Sequence, residues 1–187
     1  MTAVSSSPAP REAAVAQAPE RPWAESAYRL LRAAGYTQFC YVPDSGHREL
    51  INLAIADDEA LAIPLTTEEE GVAIAAGADL GLDKAVLLMQ SSGVGNTINM
   101  LSLIQHCEFP FLTLVTLRGD FGEQNPWQYA MGQAAEPVLR AMGLITLRAE
   151  RPEDVVPTVE AAIGMVNPGG RAVAVLLTQR LIGAKKF

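Results

Sequence analysis

The chain has 187 residues, 49% hydrophobic and 19% charged. That length and balance suit one globular domain with a sizeable core and exclude wholesale disorder. A formal net charge of −7 repels phosphate backbones and offers no basic stripe to an anionic membrane, so neither nucleic acid nor a membrane is an expected partner.

Residues 1–22 are rich in Ala, Pro and Ser, carry charges at Arg11, Glu12, Glu20 and Arg21, and lack an unbroken apolar stretch. They read as a disordered tail rather than a signal peptide, ahead of a domain over 23–187. A helix over 23–34 places Ala27, Leu30, Leu31 and Ala34 on one face and ends at Gly35. A short apolar strand follows at 39–42, then a helix over 45–56 with Leu50, Leu53 and Ala54 at helical spacing. A strand at 61–63 leads to a helix over 67–80, with Thr67 as its expected cap and Glu68, Glu69 and Glu70 in its first turn. The apolar run 85–89 is the next strand; a glycine turn, Gly93-Val94-Gly95-Asn96, then opens a helix over 96–104. Strands at 111–117, 144–147 and 172–177 alternate with helices over 133–142 and 152–166, the last with Pro152 at its start. Several of these strands are apolar on consecutive residues, as strands covered on both faces are. The alternation predicts a three-layer α/β/α domain around an open sheet of about six mostly parallel strands. The loop over 118–133, with Gly119, Gly122, Pro126 and Gly132, is long for a compact domain, and long loops are often functional.

Cys40 and Cys107 stand outside any CxxC pair and are too few for a disulfide scaffold. They read as two small buried residues in a reducing cytoplasm.

Ligands in such sheets bind beyond the carboxyl ends of the strands. Four segments are expected there: Pro43-Asp44-Ser45-Gly46-His47, Thr66 to Gly71, Gln90 to Asn96, and Arg118-Gly119-Asp120 with its loop. Successive helical residues point about 100° apart, so the three acids of Glu68-Glu69-Glu70 cannot share one face. They are either a solvated acid run favoured by the helix dipole or a run whose tip is buried. The small residues from Gly71 to Ala78 favour the second reading, because they let the helix pack closely along its length. The glycine turn is either a phosphate-binding backbone or a tight packing turn. It lacks the Gly-Lys-Ser/Thr of a Walker loop and the third glycine of a dinucleotide fingerprint. His47 and His106 have no metal-ligand spacing. His47 falls at the expected crevice, whereas His106 reads as packing or interface.

Taken in order, Tyr41-Val42-Pro43-Asp44-Ser45, Thr67 to Val72, Met89 to Asn99, and Arg118-Gly119 with Gln128 and Gly132 resemble the pyrimidine-binding domain of thiamine-diphosphate enzymes. The resemblance covers about residues 23–187. Within that group the chain is most similar to the alpha subunits of sulfopyruvate decarboxylases and the matching half of phosphonopyruvate decarboxylases. It implies decarboxylation of a small anionic 2-oxo acid, with sulfopyruvate giving sulfoacetaldehyde and carbon dioxide. In the family a glutamate at this helix start bonds the N1′ atom of the aminopyrimidine ring. Counting back from Gly77 assigns that role to Glu68, with Glu69 the alternative should the register differ. The resemblance also sets Ser91, Ser92, Gly93 and Asn96 against the cofactor, and Asp44, Ser45, His47 and Gln128 toward the substrate. The family often has Gln-Asn-Ser-Gly where this chain has Gln90-Ser91-Ser92-Gly93, which bears on substrate choice. Thiamine-diphosphate enzymes hold Mg²⁺ and the diphosphate through a Gly-Asp-Gly motif, and here the nearest match, Gly119-Asp120-Phe121, lacks the second glycine. A separate beta subunit carrying that motif is therefore expected, in a cytoplasmic hetero-oligomer. A non-catalytic regulatory module and a nucleotide-binding domain on the same fold are the competing expectations.

Overall fold

The computed structural model describes residues 21–184. The expected tail lies outside the described residues except for Arg21 and Pro22. Those two belong to the fold: Pro22 is the first residue of α1 (Pro22–Ala33), where its missing N–H costs nothing. The Arg21 guanidinium donates to the carbonyls of Ser45, Gly46 and Ile182.

The apolar runs become six parallel strands: β1 (Gln38–Tyr41), β2 (Leu61–Pro64), β3 (Ala85–Gln90), β4 (Phe111–Thr116), β5 (Ile145–Ala149) and β6 (Ala172–Leu177). Their order across the sheet is β2-β1-β3-β4-β6-β5, with Phe39 beside Ala62 and Val86, and Leu112 beside Val173. The four inner strands are buried, while β2 and β5, at the edges, are partly exposed.

Alternation of side chains across the pleat divides the core in two. Phe39, Leu88, Leu114 and Val175 pack under α1, α2 (Arg48–Ala56) and α7 (Pro152–Val166). Cys40, Leu87, Met89, Val115 and Leu176 pack under α3 (Glu68–Leu80), α4 (Ser91–Thr97), α5 (Ser102–Cys107) and α6 (Tyr129–Ala141). Each such side chain contributes about 1.5–3 kcal/mol by leaving water. A short α8 (Gln179–Ile182) closes the described chain. No helix among the described residues is long and apolar enough to cross a membrane. Cys40 is buried as expected, and burial pushes its thiol up to about 12. Cys107, expected to be buried, is exposed on the last turn of α5, and so is His106, which leaves the interface half of its reading open.

The chain leaves β1 in one direction, to β2, and returns past β1 to β3 on its other side. That reversal opens a crevice at the carboxyl ends of β1 and β3, the favoured binding position in an open parallel sheet.

Candidate active site

The three acids at the start of α3 have three different fates. Glu68 is 7% exposed, Glu69 is half-buried and Glu70 is exposed. Thr67 holds the cap position, but its hydroxyl makes no cap bond. Instead the Glu70 carboxylate reaches back and accepts from the Thr66 N–H at 2.9 Å, leaving Glu68 free of that duty.

Two glycines seat Glu68. A Cβ at Gly71 would stand 2.5 Å from Leu87 Cδ1, so its absence lets α3 settle onto β3. A Cβ at Gly93 would fall within 2.6 Å of the Glu68 Cγ, Cδ and Oε1 atoms. Glu68 therefore lies in the space that a side chain at position 93 would fill. Its Oε2 accepts from Asn96 Nδ2 at 2.7 Å, and among the described residues Asn96 is its one hydrogen-bond donor.

Gly93 to Asn96 were expected to form a turn before a helix; they lie inside the seven-residue helix α4, which starts directly at Ser91. Glycine opposes helix by about 1 kcal/mol relative to alanine, but here the close approach of Glu68 requires it. Ser91 is fully buried, and its Oγ joins the Arg118 backbone, donating to the carbonyl at 3.2 Å and accepting from the N–H at 3.0 Å. Its side chain is turned into the protein. Ser92 is half-buried and donates to Gln90 Oε1 at 3.1 Å.

Gln90 links this corner to the end of β1. Its Nε2 donates to Asp44 Oδ1 at 2.9 Å, and Asp44 Oδ2 accepts from Thr116 Oγ1 at 2.7 Å and the Gly46 N–H at 3.0 Å. Burial alone would push the Asp44 carboxyl up; the neighbouring His47 and these three bonds outweigh it and hold the carboxyl below its usual range. Gly46 is again a place where a Cβ would collide, at 2.6 Å from both Asp44 Oδ2 and Thr116 Cγ2.

His47, expected at the crevice, is fully buried beneath it. Its Nε2 sits between the carbonyls of Met89 and Leu114, at 3.2 and 3.1 Å, and its Nδ1 has no partner among the described residues. Burial pushes its pKa down, so the ring is neutral and donates through Nε2. It ties β3 to β4 and exposes no surface to the crevice. Ser45 is half-buried and borders the crevice. Gln128, in a 3-10 turn (Pro126–Gln128), is half-buried with its Oε1 buried and unpartnered among the described residues. No hydrogen bond joins its side chain to Asp44 or Glu68 there.

The long loop hangs on a residue that sequence reasoning missed. Glu123 takes a two-pronged contact from Arg118, at 2.6 and 2.8 Å, and bonds from Gln179 Nε2 and the N–H groups of Gln124 and Asn125. The Arg118 contact and these further bonds hold its carboxyl at about 2. Gln179 Oε1 in turn accepts from the N–H groups of Asp120 and Phe121. The only signal in the sequence is an Arg and a Glu five residues apart in a glycine-rich loop; Gln179 is 56 residues further on. Asp120, in the nearest match to a Gly-Asp-Gly motif, is paired with Arg148 at 3.2 Å.

No protein-family model matches the chain. It is 34% identical over 150 residues to the sulfopyruvate decarboxylase subunit alpha of Methanocaldococcus jannaschii, covering 80% of this chain and 89% of that one. The corresponding subunit of Methanococcus maripaludis is 32% identical, covering 82% and 92%. The phosphonopyruvate decarboxylase of Streptomyces viridochromogenes is 36% identical over 111 residues, covering 58% of this chain and 28% of that one. Among solved structures, the thiamine diphosphate-dependent 4-hydroxybenzoylformate decarboxylase of Rhodococcus jostii RHA1 superposes with a TM-score of 0.67 at 20% identity, covering 88% of this chain and 32% of that one. The 2-oxoglutarate:ferredoxin oxidoreductase of Magnetococcus marinus gives 0.68 at 16% identity, covering 86% and 29%. The chain thus spans about a third of each solved structure, and those likenesses establish the fold. With most of both aligned lengths shared, the chain belongs to the family of sulfopyruvate decarboxylase alpha subunits.

Proposed function

We propose that the chain is the pyrimidine-binding alpha subunit of a thiamine-diphosphate-dependent 2-oxo acid decarboxylase, with sulfopyruvate as its first substrate and phosphonopyruvate as its second. The observation that carries this reading is the seat of Glu68: a carboxylate at the carboxyl edge of the sheet, sunk against Gly93, with one neutral donor among the described residues. These residues fit the cofactor. A flat ring nitrogen needs a buried carboxylate with an oxygen to spare, and Gly93 leaves room for close approach.

When bound, thiamine diphosphate supplies a nucleophilic carbon and an electron sink for the bond that releases carbon dioxide. Glu68 holds a proton between its carboxylate and the ring nitrogen N1′, and its low exposure keeps water from competing for that proton. Asn96 fixes the carboxylate in one orientation, and Gly93 supplies the floor. Ser92, through Gln90, joins this corner to Asp44, and Asp44 with Ser45 borders the side where a substrate enters. The diphosphate and Mg²⁺ are assigned to a separate beta subunit with a Gly-Asp-Gly motif, in a hetero-oligomer. Two things support that assignment: the relatives are themselves named alpha subunits and match this chain along most of their length, and Asp120 is occupied by Arg148.

The test is co-expression with a diphosphate-binding chain that carries a Gly-Asp-Gly motif and assay of carbon dioxide release from sulfopyruvate. The expected result is release that needs both chains, thiamine diphosphate and Mg²⁺. A pair that binds the cofactor but decarboxylates neither sulfopyruvate nor phosphonopyruvate contradicts the substrate assignment. Full release by the chain alone contradicts the shared site.

A further inference from the structure

The proposed substrates carry a second anionic group at the end away from the 2-oxo acid, a sulfonate or a phosphonate. The acids identified so far, Glu68 and Asp44, repel such a group, so a cation must offset them. Most cations at the carboxyl edge are already engaged. Arg118 is locked to Glu123, Arg148 to Asp120 and Glu136, and Arg151 to Asp154. Arg21 is consumed by backbone carbonyls, and the Arg180 guanidinium is stacked 3.8 Å over the Phe121 ring.

Arg48 differs. It is the first residue of α2, it is exposed, and among the described residues it makes neither an ion pair nor a side-chain hydrogen bond. It lines a depression of about 410 Å³ together with Asp44, Ser45, Tyr41 and Asn52. The depression lies beyond the carboxyl end of β1, between Tyr41 to Ser45 and the side of α2. Asp44 shares this wall, but its two oxygens are already bonded by Gln90, Thr116 and the Gly46 N–H. The Arg21 charge lies close enough to Arg48 for the two to repel, so both add to the positive potential there.

We propose that Arg48, with Ser45 and Asn52, forms the subsite for the tetrahedral anion at the distal end of the substrate. The proposal rests on the function proposed above. The guanidinium presents a planar fork of donors that matches two oxygens of a sulfonate or phosphonate at once. Ser45 and Asn52 add neutral donors of the kind that orient a small ligand. Because Arg48 is exposed and unpaired, changing it leaves the fold intact.

The test uses the reconstituted two-chain complex with the non-reactive probes 3-sulfopropanoate, 3-phosphonopropanoate and butanoate, titrated by calorimetry into the wild type, Arg48→Ala and Arg48→Lys. The expected result is at least about a 30-fold loss of affinity for the tail-charged probes in Arg48→Ala, partial recovery in Arg48→Lys, and no change for butanoate; a factor of that size is usual for one charge-assisted contact. Whichever of the two charged probes loses more identifies the preferred anion. Affinity for both within threefold of the wild type in Arg48→Ala, equal loss for butanoate, or no binding of either by the wild type overturns the proposal. A wild-type complex that binds the charged probes through Arg48 yet decarboxylates no 2-oxo acid would instead overturn the functional reading and leave the subsite standing.

Discussion

Two glutamates at the carboxyl edge of the sheet have the same exposure, 7% each, and opposite surroundings. Glu123 is saturated: a two-pronged Arg118, the Gln179 amide and two backbone N–H groups take up its oxygens. Among the described residues Glu68 has a single neutral donor, Asn96, and a glycine where a side chain would otherwise press on it. Burial alone therefore does not separate a structural carboxylate from a chemical one; the number and charge of its partners does. The first is a fixed anion that organises a loop. The second has bonding capacity left for a ligand.

The comparison breaks first at Glu123. Replacing it with Ala leaves the Arg118 guanidinium buried without its partner, which typically costs about 3–5 kcal/mol. Urea unfolding of the isolated chain measures this, and a loss under about 1 kcal/mol would mean the loop does not depend on the pair. The same residue gives a pH signature. Its folded carboxyl is held at about 2, below the ordinary value of 4.5, so its stabilisation is complete above the unfolded value and disappears as pH falls toward 2. The stability of Glu123→Gln should be less sensitive to pH in that window.

Gly93→Ala sharpens the other side. The added methyl must push Glu68 from its seat, and a shift of about 1 Å in a reacting group can cost roughly 100-fold in rate. Decarboxylation by the reconstituted complex should fall by about that factor, with the helical signal of the chain unchanged. Asn96→Ala removes one donor to the carboxylate and is expected to lower activity by about tenfold, since a hydrogen bond to a charged group is worth about 1.5–3 kcal/mol. Glu70→Ala should do least. It removes the bond to the Thr66 N–H, costing about 0.5–2 kcal/mol of stability as a lost helix cap does, and leaves the rate alone. A Glu70 variant as inactive as a Gly93 variant would show that the acid run acts as a unit.

Much of the fold was legible because it rests on local pattern. Consecutive apolar residues such as 85–89 and 172–177 appear as buried parallel strands, and 152–166 is the predicted helix end to end. That an acid at the tip of α3 is buried was legible too, from the small residues behind it; which of the three acids it is followed only from the family resemblance. What escaped depends on packing between distant segments. Gly93 and Gly95 have poor helix propensity, so the sequence points to a turn; the need for glycine at 93 shows only in the approach of Glu68 from 25 residues away. His47 sits in a loop-like polar segment, yet the carbonyls of two central strands draw it into the core. Glu123 finds Gln179 across 56 residues, a partnership no local pattern announces. Gln90 was visible only as the end of a strand, although it joins Asp44 to Ser92.

The central claim is that Glu68, and neither of its neighbours, is the acid that works on the cofactor ring. Glu68→Gln in the reconstituted complex tests it most directly, with decarboxylation rate, cofactor affinity and urea midpoint measured together. The account predicts a rate lower by about 10²–10⁴-fold, as loss of a positioned proton-transfer group brings, with the fold intact and the cofactor still bound. A Glu68→Gln complex that keeps near-wild-type activity would contradict it.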